Sequence, residues 1–467
     1  MTGGLSGDRR ALLDLLLAEE GLARPKAQVI AQRTTAGPAP LSFAQQRLWF
    51  LDQLAPGSSF YNVPAAQRLR FPVNVGVLER ALSEIVRRHE SLRTRIAVAE
   101  GEPVQLVEEA ARVELPVIDV AALEPVKRER EVARLAAEEA RAPFDLARGP
   151  LLRAQLLRLG PSDWVFLLTL HHVVADGWSL GVVFRELAAL YEAFALGRPS
   201  PLPELAVQYA DFALWQREWL RGERLERQLA YWRRRLEGLP VLELPTDRPR
   251  PAVQRYRGAS HSFTLPGSLA EELRGLGRSE QATLFMVLLA GFKALLSRYC
   301  RQEDISLMAP IAGRGRPELE PLIGFFVNSL VLRTDLSGDP SFHELLRRVR
   351  ETALGAYAHQ DLPFEMLVEK LQPERDLSRN PLFQVTFQLF SSPTLVQSAK
   401  TETLTALEVE PGTSKFDITF DLWETDDGLG AQLTYNTDLF DAERMTRLAG
   451  HYRTLLEGAV ADPEQPL

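Results

Sequence analysis

The stretch His171-His172-Val173-Val174-Ala175-Asp176-Gly177-Trp178-Ser179 decides how this chain folds and what it can do. Ahead of it, Trp164 to Leu170 is a short apolar run of strand length. Behind it, Leu180, Phe184, Leu187, Tyr191 and Phe194 recur at the spacing of an amphipathic helix. Asp176-Gly177 supplies the turn, and Ser179 is placed to cap the helix. Neighbouring side chains on a strand point to opposite faces, so His171 and His172 should diverge, one toward a cleft and one packed behind it. Three readings follow. The pair can be satisfied core histidines. It can hold a metal, although opposed neighbours share one ion poorly and no cysteine or further histidine stands nearby. Or one imidazole can do acid-base work in the cleft while Asp176 orders the turn.

Composition narrows the setting. The chain has 467 residues, 45% hydrophobic and 25% charged, enough for a large core in two or three domains or one two-lobed unit. Lys+Arg of 54 against Asp+Glu of 62 leaves a net charge of -8, which disfavours a nucleic-acid-binding surface. The lone Cys300 excludes an internal disulfide framework and a thiolate metal cluster, and its apolar helical setting reads as structural. Met1 to Arg10 lacks the apolar centre of a secretory signal, and Leu284 to Phe292 is too short to span a bilayer. These features lead us to expect a cytoplasmic protein without membrane contact.

In chain order, Asp8 to Gly21 reads as a helix, either a packing arm or a docking element, and Leu22 to Pro40 as a linker. Leu41 to Leu51 is helical, as is Val75 to Glu90, and the alternation after Leu92 with Glu100-Gly101-Glu102 predicts a hairpin. Tyr209 to Leu239 reads as one long charged helical region, with Arg233-Arg234-Arg235 as a solvated face. Leu284 to Tyr299 is a buried helix and Ile305 to Pro310 a strand. Ser341-Phe342-His343-Glu344 is a capping box. Phe416 to Trp423 and Ala431 to Tyr435 are strands, and Ala442 to Glu457 closes the pattern as a helix. The final Asp462 to Leu467 resembles a linker, so a domain taken from a longer assembly line is expected.

Seven stretches in order carry a family resemblance. They are Ser42-Phe43-Ala44-Gln45-Gln46-Arg47-Leu48-Trp49, Arg88-His89-Glu90-Ser91-Leu92-Arg93-Thr94, the histidine stretch, Tyr209 to Gln216, and Leu322 to Leu330, with Ser329 in place of threonine. His359 to Glu365 and Arg375 to Val385 complete the set. Together they resemble the condensation domains of nonribosomal peptide synthetases, relatives of chloramphenicol acetyltransferase, over about Pro40 to Val460. The resemblance implies a mixed α/β fold of two chloramphenicol acetyltransferase-like lobes, a V-shaped pseudo-dimer around a central tunnel. On that basis residues 1–39 form the N-terminal helix and linker, 40–218 the first lobe and 219–467 the second, with the boundary near Glu218.

The implied reaction joins a donor acyl thioester on an upstream carrier protein to the amine of an aminoacyl thioester on a downstream one. Phosphopantetheine then arrives with the carriers, and no bound cofactor, metal or nucleic acid is expected. The excised domain should be a monomer that meets neighbouring synthetase domains. His172 matches the family's catalytic histidine, with His171 as its structural neighbour. Gly177 is the candidate backbone donor to the oxyanion, since a glycine allows close approach. Asp176 could partner His172 in a triad, but the resemblance implies an interlobe salt bridge to Arg314, or failing that Arg333. Trp178, Asn328 and Ser329 are candidate tunnel residues. The intact histidines differ from heterocyclisation domains, and Gly177-Trp178-Ser179 with Ser42-Phe43-Ala44-Gln45 looks like the subtype that accepts an L-configured donor. A stand-alone acyltransferase for a soluble amine or alcohol, and a non-catalytic recruitment platform, are the alternatives.

Overall fold

A computed structural model describes residues 29–34, 37–371, 376, 378–380, 382–390, 403–407 and 412–467. The expected helix at Asp8 to Gly21, and parts of the linker and of the Arg375 to Val385 stretch, lie outside the described residues.

The strand Asp163–His171 is the centre of the first half. It lies between the antiparallel strands Asn62–Leu69 and Leu152–Gly160 in a five-stranded sheet. Every residue from Trp164 to His171 is buried, which is why the stretch reads as an unbroken apolar run rather than an alternating one. The alternation is still there, split between two cores. Trp164, Phe166, Leu168 and Leu170 pack with Leu180, Val183 and Leu187 of the helix Gly177–Ala195. Val165 and Leu167 pack on the other face with Val120, Val132 and Leu157.

The second half is a six-stranded sheet that contains Gly258–Pro266, Asp304–Ile311, Asn328–Asp335, Val385–Phe390, Ile418–Thr425 and Gly428–Asn436. Helices Leu284–Cys300, Phe342–Ala358 and Ala442–Ala461 supply buried side chains to its core. Each half is thus a sheet with helices packed on it, and the whole is the expected mixed α/β fold of two chloramphenicol acetyltransferase-like lobes.

The lobes are not separated by one cut in the chain. Strand Leu404–Leu407, from the second half, pairs antiparallel with Asn62–Leu69 at the edge of the first sheet. Ile323, also from the second half, is buried in the first-lobe core. Glu218 falls in the last turn of helix Tyr209–Trp219, and the long helical region is in fact two helices, broken before Gly222–Leu236. Arg235 also departs from the solvated-face reading, because its guanidinium donates to the Arg333 carbonyl and to Thr352. At Ser341 only half of the capping box forms: its hydroxyl accepts from the Glu344 N–H, while the Glu344 carboxylate binds Arg347 and Arg348. Cys300 is half-buried, and burial pushes its thiol up to about 12, out of range for a nucleophile. Among the described residues no single helix is long and apolar enough to cross a membrane.

Candidate active site

The histidine turn leaves the strand at His171 and enters the helix at Gly177. Asp176, not Ser179, is its N-cap: Asp176 has extended backbone and its carboxylate accepts from the Ser179 N–H at 2.8 Å. Both residue types can cap, but the extended backbone falls at Asp176.

The two imidazoles do diverge. His171 is buried, edge-on to Phe144 and Tyr61, and its Nδ1 accepts from the Val173 N–H at 3.1 Å. Burial, then the His172 and Lys415 charges, bring its pKa down to about 3, so it is neutral at pH 7. His172 is half-buried, with its ring edge-on to Phe325 at 4.6 Å. Its Nδ1 lies 2.9 Å from the Ala175 carbonyl oxygen. A carbonyl only accepts, so Nδ1 carries the hydrogen and Nε2 keeps its lone pair. Burial and Lys415 hold His172 down at about 4, against an opposing pull from Asp176. At neutral pH, Nε2 is an acceptor.

Asp176 is fully buried and already saturated. Its Oδ1 accepts from the Ser179 N–H and hydroxyl and from Arg314 Nη2 at 2.9 Å, and its Oδ2 accepts from the Phe326 N–H at 3.1 Å. None of these donors is His172; the imidazole is oriented by a backbone carbonyl, not by a carboxylate. Arg314 in turn donates to the Leu319 and Leu322 carbonyls and lies over the Phe326 ring. Arg333 is elsewhere, paired with Asp304 at 2.7 Å.

Gly177 is the first residue of the helix, so its N–H has no acceptor within the helix. It is exposed, and a β-carbon there would meet nothing within 4 Å, which leaves open space in front of the turn. Trp178 donates its indole N–H to the Glu320 carbonyl at 2.9 Å and joins the two halves. Asn328 clamps the loop at residues 360–364, donating to the Gln360 and Leu362 carbonyls and accepting from the Phe364 N–H. It also lines a cleft of ≈ 160 Å³ with Ser42, Trp215, Phe325 and Glu365. Ser329 is half-buried beside it and donates its N–H to the Asn328 side chain.

Sequence reasoning assigned no role to the residues that hold this turn in place. Gln45 donates to the Val173 carbonyl at 3.1 Å and ties the first motif to the third. Tyr209 donates its phenol to the Phe325 carbonyl at 2.6 Å, so Ser42 is the donor in the 2.8 Å contact between the two hydroxyls. His89 and Arg88 share the buried Glu186, and Ser91 donates to the Ile323 carbonyl. The signal was present in the motifs themselves, whose members meet around one turn. Among the described residues, no group of three or more His, Cys, Asp or Glu side chains is arranged to hold a metal ion.

Two sheet-and-helix lobes thus meet at the turn that carries His172, and known proteins share this sequence and fold. The Condensation domain family matches residues 35–467, and the chain belongs to that family. One protein of the linear gramicidin synthase of Brevibacillus parabrevis is 50% identical over 97% of this chain, which spans 9% of that protein. The chondramide synthase of Chondromyces crocatus is 46% identical over 91% of the chain and 11% of that protein. The chain is thus similar to a small segment of each. Among solved structures, the X-domain from teicoplanin biosynthesis has a TM-score of 0.84 at 31% identity, over 94% of this chain and 98% of that one.

Proposed function

We propose that this chain is a nonribosomal peptide synthetase condensation domain. In this reading it forms an amide bond between a donor acyl or peptidyl thioester on an upstream carrier protein and the amine of an aminoacyl thioester on a downstream one. The observation that carries this is the pairing, on one turn at the lobe junction, of a His172 Nε2 that has no partner among the described residues with the N-terminal end of a helix at Gly177.

The acceptor nitrogen attacks the donor carbonyl carbon, the C–N bond forms and the carbonyl oxygen becomes an oxyanion. As this intermediate collapses, the C–S bond breaks and the donor arm leaves as a thiol, taking the proton that the nitrogen gives up. An amine is already a good nucleophile, so alignment of the two thioesters supplies the largest share, up to about 7–11 kcal/mol for well-oriented reactants. His172 Nε2 accepts the amine hydrogen, orients the lone pair and relays the proton to the departing sulfur. Its depressed basicity suits a transient relay better than a stored imidazolium. The Gly177 N–H faces the oxyanion. His171 and Asp176 shape the turn without touching substrate.

We further place the domain in the cytoplasm, working as a monomer when excised, with lobes at 40–218 and 219–467, the second supplying the strand Leu404–Leu407 to the sheet of the first. The donor is assigned the L configuration on the motif pattern. Intact-protein mass spectrometry of one acyl-loaded and one aminoacyl-loaded carrier, incubated with the chain, tests the reading. Acyl transfer to the downstream carrier supports it. A folded chain that transfers to a free amine but never to a carrier, or to neither, sinks it in favour of a stand-alone acyltransferase or a recruitment platform.

A further inference from the structure

Lys415 lies on the connection from Leu404–Leu407 in the first sheet to Ile418–Thr425 in the second. Its backbone is held tightly. Its carbonyl accepts from Asn380 Nδ2 at 2.8 Å, and the adjacent Ser414 N–H donates to the Tyr256 carbonyl at 2.8 Å. Gly258 packs so closely that a β-carbon there would come within 2.4 Å of Thr413. From this clamp the half-buried side chain reaches the first lobe, where Nζ is 5.3 Å from the ring centroids of both Phe60 and Tyr61. Two aromatic faces attract an ammonium but take no proton from it. Among the described residues, Nζ makes no ion pair or hydrogen bond.

Tyr61 is the link to the histidines. Its carbonyl accepts from the His172 N–H at 2.8 Å, and its ring is edge-on to His171. Among the described residues, few charged or titratable groups act on the two histidines. His171 is neutral, Asp176 is committed to Arg314 and Ser179, and Arg47 beside Tyr61 is paired with Glu365. Arg153, which also acts on His171, is paired with Glu139, so among the described residues Lys415 is the cation here without an ion pair. It acts in the same direction on both imidazoles, lowering each behind the larger effect of burial. Burial also brings Lys415 itself down to about 8, so it is still largely charged at pH 7.

We propose that Lys415 is a positioning residue for the reaction: its ammonium, fixed on Phe60 and Tyr61, disfavours a second positive charge at the histidine turn, whether on the imidazole or on the amine that binds Nε2. This rests on the condensation reading for the amine, but not for the imidazole. A cation at the site costs an imidazolium or substrate ammonium more than it costs the neutral forms, and it opposes nothing in the developing oxyanion.

Two measurements test this in Lys415→Met and Lys415→Arg, with folding checked by circular dichroism and thermal melting. In 15N-histidine spectra, with His172→Ala to assign the signal, the His172 titration should move up by about one pH unit in Lys415→Met and stay near wild type in Lys415→Arg. In single-turnover condensation, the acid limb of the pH–rate profile should move up with it, again restored by arginine. A folded Lys415→Met with an unmoved His172 titration overturns the proposal whether or not the chain condenses carriers. A rate that falls equally at every pH, with its midpoint unchanged, reduces Lys415 to a structural strut.

Discussion

At Asp176, one carboxylate receives four hydrogen bonds, from two Ser179 donors, Arg314 and the Phe326 backbone, in a fully buried site. Its removal leaves the Arg314 guanidinium, itself only 1% exposed, buried without a counter-charge. Such a break typically costs about 3–5 kcal/mol. Asp176→Ala should therefore be insoluble or melt far below wild type, and a well-folded but inactive Asp176→Ala would instead argue for a direct chemical role. His171 makes the opposite kind of prediction. Its imidazole is held at about 3 in the fold against an ordinary 6.5, so as pH falls below 6.5 the unfolded chain takes up a proton that the folded chain refuses. Stability should accordingly rise with pH from about 3 to 6.5, at up to about 1.4 kcal/mol per pH unit for one such proton. The buried His89 is lowered too and adds to the same slope. Denaturant unfolding at pH 7, 6 and 5 should show a shallower slope in His171→Asn than in wild type.

Elements meet at the histidine turn through close backbone approaches that tolerate no extra atom. Gly324 is the clearest case, since a β-carbon there would lie 2.0 Å from the Tyr209 ring. Gly324→Ala should push Tyr209 off the Phe325 carbonyl, cost roughly 1–3 kcal/mol by overpacking, and lower the condensation rate because Phe325 also abuts His172. Thermal melts and single-turnover rates of that variant check both effects, and wild-type values would show that the contact is slack. Much at this scale was legible. The strand ending at His171, the helix behind it and the hairpin Thr94–Ala99 with Glu102–Val107 all carry their period within a few residues. The break near Leu220 was not, because helices on either side of it share the same charged, amphipathic character. Nor was the cap legible, since Asp176 and Ser179 are equally good capping types. The resemblance pointed to Arg314, yet the bonds that finish the site come from Gln45, Tyr209 and Phe325, brought together only by tertiary contacts.

For the whole molecule, the junction of the lobes is the working part. Among the described residues two ion pairs cross it, and burial separates their expected contributions. Arg47 and Glu365 meet at 3.2 Å with Arg47 37% exposed, so Arg47→Ala should change stability by less than about 1 kcal/mol, in contrast to the Arg314 pair. Equilibrium unfolding of the two single variants side by side would show the difference, and equal losses would mean that the surface pair is part of a larger network. That Leu404–Leu407 and Ile323, both from the second half, complete the first lobe could not be seen in sequence, because a four-residue strand and one isoleucine carry no mark of so distant a partner. The same connection carries Lys415, whose side chain reaches Phe60 and Tyr61 of the first lobe. The central claim is that a neutral His172, aimed from a rigid turn, assists amide formation between two aligned thioesters. Rapid-quench single turnovers of acyl-loaded and aminoacyl-loaded carriers, with wild type and with folded His172→Ala, test it most directly. The account predicts a loss of about 10²–10⁴-fold in the variant, with residual transfer from alignment alone. A His172→Ala rate equal to wild type would contradict it.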